Sequence, residues 1–437
     1  MSLANEPFPE SPAQMSLKHC MPSLPDLLSN RFIPIQDAVL SALSPQDLAR
    51  LSGVCRDLHS VVQGARNWDS WLQTWFSNPK DFRSLQGKLN AIITGNPLID
   101  FIARTQHFIN SDPTLNVIIP GPDRKAMMRY LISDGYEAPC EKAPSGCDDF
   151  AFDECIRLVH PTRTVNGANK ASILVVRAEP YHSPIHLPLD KSCGTTIQQN
   201  YATWNKVYSL FPSSTFIDKE GYLMVELSER VGPTLYQLSK GGYKAKDIHW
   251  FEKNYKAPGM TSEMLTRSRR IGDQHTLVIR LSTADVSKPA VPDGALESTT
   301  FYLFKEVRNG ISFYDVNCNI KICHPVLRYV YELLYDETDN EYNKSIRHLQ
   351  VRLDNLARME LYKIPVEQRP AGYQSLVLNR NVSCTEWHFN KPDSWTYYDD
   401  DVIEYLAKIW RDREQKELEM KELEATQKGA KKRLLHR

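Results

Sequence analysis

Apolar positions recur at helical spacing across residues 32–62, and the densest part of that pattern is Leu48, Leu51, Val54, Cys55, Leu58, Val61 and Val62. Intervals of three and four residues place such positions on one face of a helix. Ser44 stands where an N-cap would, Pro45 suits the first helical position, and Asp47 completes an S-x-x-D capping box. Trp68, Trp71 and Trp75 follow at i, i+3 and i+7, the spacing of a packing face that joins this helical segment to the next part of the chain.

Further along, the pattern alternates between short buried-type strands and amphipathic helices. Strands are expected at residues 91–96, ending in a glycine turn, and at 116–120, 172–176 and 276–281. A helix is expected over 122–133, with Met127, Met128, Leu131 and Ile132 inward and Gly135 stopping it. Residues 301–307 and 311–316 flank Asn309-Gly310, a strong hairpin signal. A helix is expected from His324-Pro325 through Leu334, and a second with Ile346, Leu349, Leu353, Leu356 and Met359 on its apolar face. Residues 284–298 are turn-rich and are expected to form a loop. Asp399, Asp400 and Asp401 suit a helix N-terminus. The fold class expected is α+β and multidomain, with a small all-α module, a mixed α/β body and a charged C-terminal helix.

Residues 32–62 resemble an F-box, the module by which substrate receptors of cullin-type ubiquitin ligases dock on a Skp-family adaptor. Val39, Leu40 and Leu43 carry the resemblance, then Ser44-Pro45-Gln46-Asp47-Leu48, Val54-Cys55-Arg56 and Leu58, with Trp68 or Trp71 at the family's frequent tryptophan. The family's Leu-Pro opening is replaced by Phe32-Ile33-Pro34, while Leu24-Pro25-Asp26 lies farther upstream. The resemblance implies an adaptor-binding set of Ile33, Pro34, Val39, Leu40, Leu43, Pro45, Leu48, Leu51, Val54, Cys55 and Leu58. Leu48, Leu51 and Leu58 would be its buried anchors.

A second resemblance spans residues 88–223. Fungal F-box proteins often carry a downstream region similar to a nucleotidyltransferase fold, and here Thr94-Gly95-Asn96, the stretch 111–118, Tyr208-Ser209-Leu210-Phe211-Pro212 and Thr215-Phe216 match it. Nucleotidyl transfer needs two carboxylates on one strand face to hold magnesium ions. Thr114 and Asn116 stand at those positions, and Asn96 replaces the serine that would meet the phosphates. The resemblance therefore implies a catalytically empty fold reused for binding: no enzyme, no catalytic residue, no cofactor and no metal.

These readings divide the chain into a disordered leader (1–25), the F-box-like module (26–80), the degenerate transferase-like region (88–224), a mixed α/β region (225–410) and a charged helix with a basic tail (411–437). Lysine plus arginine (53) equals aspartate plus glutamate (53), which argues against a nucleic-acid or membrane partner. Arg267, Arg269 and Arg270, near Trp250 and Tyr255, together with the basic tail at 428–437, would favour a nucleic-acid or scaffold role. Nine scattered cysteines and a polar start without an apolar signal core suggest a cytoplasmic or nuclear protein. Cys318, Cys323 and His324, with Cys384 and His388, are spaced too loosely for a zinc motif. The sequence reading is thus a receptor that binds a Skp-type adaptor, and through it a cullin, and presents an unidentified target protein. The alternatives are a transferase-fold enzyme and a ligase-independent nucleic-acid-binding or scaffold protein.

Overall fold

The computed structural model describes residues 24–28, 32–55, 57–58, 61–62, 67–120, 123–137, 155–165, 167–178, 182–186, 189, 194–229, 231–246, 268–289, 292–308, 311–336, 339–370 and 389–434. Nearly all of the expected leader lies outside them, as do Arg267, Trp250, Tyr255, Cys384 and His388. Both helices and sheets are present, in agreement with an α+β chain.

The first helices are α1 (Leu24–Leu27), α2 (Ile33–Ala42) and α3 (Pro45–Ser52). Helix α3 starts as its cap dictates: Ser44 is extended, its Oγ accepts the Asp47 amide at 3.2 Å, and Pro45 occupies the first helical position. It stops earlier than the apolar spacing suggests. Gly53 caps it by donating to the carbonyls of Arg50 and Leu51, so Val54 and Cys55 leave the stripe and stand exposed. The expectation of one continuous face from Leu48 to Val62 is corrected by that break. Glycine carries a helix-propensity cost of about 1 kcal/mol relative to alanine, which favours a stop there.

Helix α4 (Trp68–Leu72) and helix α5 (Pro79–Lys88) follow. The tryptophans do pack as a stripe: Trp68 stacks on Trp71 with centroids 4.7 Å apart, and Trp71 lies 4.7 Å from Trp75. Arg83 on α5 is buried. It pairs with Asp69 at 2.8 Å and donates to the carbonyls of Trp204 (2.9 Å) and Ser282 (2.6 Å), so one guanidinium ties three distant segments together.

The body contains β1 (Ile92–Thr94), α6 (Asn96–Ala103), α7 (His107–Ser111), β2 (Thr114–Ile119), α8 (Arg124–Ser133), β3 (Cys155–Val165), β4 (Asn169–Arg177), β5 (Asn200–Ala202), β6 (Lys206–Ser209), β7 (Glu220–Tyr222), α9 (Gly232–Lys240), β8 (Lys244–Lys246), β9 (Arg269–Arg270) and β10 (Leu277–Arg280). Seven of these strands form one sheet in the order β10-β6-β5-β1-β2-β4-β3. Neighbours are antiparallel except β2 and β4, which run parallel in register Thr114↔Ser172 to Ile119↔Arg177. The sheet crosses the expected boundary at 224, because β10 pairs with β6 through Leu277↔Ser209.

Alternation along the strands divides the core. Ile93, Leu115, Val117, Ile173, Val175, Val207 and Ile279 join Trp75, Phe82 and Met127 on one face. Ile118, Leu174 and Val176 cluster on the other face, and Ile92, Tyr201 and Tyr208 fall in a separate cluster with the C-terminal strands. In α8, Met127 and Leu131 are buried as expected, but Ile132 is 60% exposed because only one side of this helix meets the sheet.

The remainder comprises α10 (Asp293–Glu297), β11 (Thr300–Arg308), β12 (Ile311–Asn317), β13 (Ile320–Ile322), β14 (Tyr331–Leu333), α11 (Asn340–Lys363) and α12 (Asp399–Leu434). The hairpin forms with Arg308 opposite Ile311. Helix α10 lies inside the segment expected to be a loop. The expected helix over 324–334 is absent: Tyr331–Leu333 is a strand paired with Ile320–Ile322. Short apolar runs rich in tyrosine and β-branched residues serve either element, and a waiting strand edge decides between them. On α11 the buried stripe continues from Leu353 to Ala357 and Leu361, leaving Leu356 at the margin and Met359 57% exposed. Helix α12 opens with Asp399, whose carboxylate accepts the amides of Arg328 and Tyr329 and the Tyr331 hydroxyl.

Candidate functional site

The helical module has an inner and an outer face. Leu40, Leu48 and Val62 form its core, flanked by Leu43, Leu51 and Val61, and Leu58 is likewise buried. Of the adaptor-binding set drawn from the sequence, Leu40 and Leu48 therefore pack in the module core, and Leu58 is buried. Leu43, Pro45 and Leu51 lie at its margin, and Pro34, Val39, Val54 and Cys55 face outward. Ile33 opens α2.

The outer face carries a stripe of its own. Phe32, Ile35 and Val39 are 40%, 46% and 37% exposed and stand at i, i+3 and i+7. Phe32 is the N-cap and Ile35 and Val39 lie on α2, beside Gln36 and Leu40, which are buried; the Gln36 amide donates to the Leu28 carbonyl at 2.8 Å. Phe32 and Ile35 were not in the expected set, although their spacing with Val39 is visible in the sequence. The module is tethered to the body where Arg104, at the end of α6, donates to the Leu40 carbonyl at 2.5 Å.

A second candidate lies where β1 hands over to α6. Gly95 takes φ +108, a conformation open chiefly to glycine. The α6 N-terminus, Thr94 and Asn116 meet there, since Thr94 and Asn116 are register partners on β1 and β2. The residues at the expected metal-binding positions, Thr114 and Asn116, are neutral, and the one carboxylate bonded to them is that of Asp112. Thr114 Oγ1 lies 2.6 Å from Ser172 Oγ and donates to Asp112 at 2.5 Å, while Asn96 accepts from the Gln198 amide at 3.0 Å. The nearby buried carboxylate, Asp100, is consumed by structure: it accepts the Thr105 hydroxyl and the amides of His107 and Ile109, holding the start of α7. The positions that would carry magnesium-binding carboxylates thus form a hydroxyl and amide network.

The basic cluster is not a surface patch among the described residues. Arg269 is buried against Asp273, with contacts of 2.5 and 3.0 Å, and Arg270 donates to the Glu297 carbonyl and lies over Trp410. Among the described residues one group of potential metal ligands converges: His182, His186 and Glu332, whose ligand atoms all lie within 4.8 Å of one another. Cys318, one of the residues spaced too loosely in sequence, stands beside it, whereas His324 turns away to Asp354 at 3.3 Å. No helix among the described residues is long and apolar enough to cross a membrane. Comparison of the chain with protein-family models, curated proteins and solved structures finds no match.

Proposed function

We propose that this chain is an F-box-type receptor that docks on a Skp-type adaptor through its N-terminal helices and holds a target protein with its α/β body. The observation that supports this most is the exposed stripe Phe32-Ile35-Val39 at the start of and along a helix whose adjoining positions Gln36 and Leu40 are already buried. An exposed apolar row at helical spacing fits helix-in-groove association. Leu40, Leu48 and Leu58 then hold the module in shape, and the outward residues, with Val54, make the contact. The receptor performs no covalent chemistry. It brings a target close to a charged conjugating enzyme, so its contribution is proximity. The network at Thr94, Thr114 and Asn116 supports a binding role for the body, because the single Asp112 carboxylate bonded to it is not the anionic pair that magnesium ions need. A receptor of this type works in the cytoplasm or nucleus.

The test is capture of a recombinant Skp-type adaptor by the full chain and by an Ile35→Glu/Val39→Glu variant. Wild-type capture with a loss of about tenfold or more in the variant is expected, since central apolar anchors are each worth over about 1 kcal/mol. Equal capture by both chains, or none by the wild type, overturns the proposal.

A further inference from the structure

Glu332 is the centre of an arrangement that ordinary core packing does not call for. It sits in β14 between buried Tyr331 and Leu333, and its side chain is 1% exposed. A buried carboxylate is costly unless charge and hydrogen bonds surround it. Here its Oε1 lies 3.0 Å from His182 Nδ1 and accepts the Ser183 amide at 3.3 Å, and its Oε2 lies 3.7 Å from His186 Nδ1. The two imidazoles lie with centroids 4.1 Å apart, tilted by 32°, and turn the same nitrogen toward the carboxylate. Cys318 Sγ lies 3.6 Å from His186 Nδ1.

We propose that His182, His186, Glu332 and Cys318 form a zinc site, a function independent of adaptor docking. The donor set is the one zinc prefers: two neutral imidazoles, one carboxylate and one thiolate. Tetrahedral zinc with bonds of about 2.05 Å to nitrogen and about 2.3 Å to sulfur sets a nitrogen–sulfur edge of about 3.6 Å and nitrogen–oxygen edges of about 3.3 Å. The His186–Cys318 separation of 3.6 Å matches the first; the nitrogen–oxygen separations are 3.0 Å to Oε1 and 3.7 Å to Oε2. Cys318 stands outside the group of three whose ligand atoms lie within 4.8 Å of one another, so zinc would draw the thiolate and one carboxylate oxygen inward. Two negative ligands and a divalent ion sum to zero charge, which suits a group as buried as Glu332. The site would clamp the segment 182–186 to the turn after β12 and to β14, joining parts of the chain 132 and 150 residues apart.

Lys321, the register partner of Glu332 on β13, supplies a sensitive probe. Its Nζ lies 3.2 Å from His182 Nε2, on the side of the ring away from Glu332. A zinc-bound His182 carries a proton on Nε2 and requires an acceptor there, so the exposed Lys321 must swing into solvent. Lys321→Glu supplies the acceptor instead, and such outer partners change affinity by about 10- to 100-fold.

The experiment measures zinc stoichiometry and affinity of the full chain by competition with a chromophoric chelator, with cobalt as a spectroscopic stand-in. Expected are one equivalent of zinc, a cobalt spectrum with thiolate charge transfer that disappears in Cys318→Ser, loss of binding in His186→Ala, and at least tenfold tighter binding in Lys321→Glu. Lys321→Glu alters an exposed residue, so its result does not depend on a variant that fails to fold. No zinc on the wild type, cobalt bound without a thiolate band, or unchanged affinity in Lys321→Glu overturns the site.

Discussion

Trp75 donates its indole N–H to the carbonyl of Pro113 at 2.7 Å, so the last tryptophan of the stripe holds the residue from which β2 departs. Its own carbonyl accepts the Tyr136 hydroxyl, also at 2.7 Å. Trp75→Phe keeps the apolar volume in part and removes this bond, leaving the Pro113 carbonyl only the longer bond from the Ser172 amide at 3.4 Å, which costs about 0.5–1.5 kcal/mol. Urea unfolding should show that loss, and Trp75→Ala should cost about 3–5 kcal/mol.

Inward and outward leucine-type positions of the module should separate by readout. Leu48→Ala creates a cavity in the module core and should destabilise it by about 2–5 kcal/mol. The exposed pair Ile35 and Val39 should tolerate glutamate with unfolding within about 0.5 kcal/mol of wild type. Hydrogen exchange of the module amides separates the two cases, because only the first accelerates exchange.

Gly95 should accept no side chain. Alanine there would hold a Cβ 3.0 Å from the Asn116 side-chain nitrogen, in a φ of +108 that L residues avoid. Gly95→Ala should cost about 1–3 kcal/mol from the backbone conformation. A melting series that left stability unchanged would contradict the geometry.

The Arg269–Asp273 pair gives the fold an acid limb. Burial pushes the Asp273 carboxyl up, but hydrogen bonds and charge from Arg269, with Thr276 and the Arg270 amide, outweigh it and hold the group below the ordinary aspartate range. A depressed folded-state value contributes stability that is complete above the unfolded-state value of about 3.9. That contribution is lost as pH falls through the lower folded value. Asp273→Asn should lower stability at neutral pH by about 3–5 kcal/mol, because Arg269 is left buried and unpaired. It should also flatten the loss below pH 4, as read by urea midpoints across pH.

What the sequence disclosed divides by range. The Ser44 cap, the Pro45 start, the hairpin around Asn309-Gly310 and the tryptophan stripe depend on neighbours within a few residues, and all appear in the structure. The strand at Tyr331–Leu333 was misread as helix because its identity comes from the edge offered by Ile320–Ile322, not from its own pattern. At the module the apolar positions are visible in the sequence but not their direction: Leu40, Leu48 and Leu58 are buried, while Val54 and Cys55, past the stop at Gly53, are exposed. The histidine, glutamate and cysteine cluster carries no spacing signal, since the segments that supply it lie well over a hundred residues apart.

The placement of β10 has a consequence for how the protein is made. Strand β6 is synthesised long before its outer partner, Leu277–Arg280, emerges from the ribosome. Until then β6 presents an open row of amides and carbonyls, a template for pairing with another nascent chain. Completion of the sheet is therefore a late event in synthesis, and a fragment ending near 224 would keep that edge uncovered for its whole lifetime.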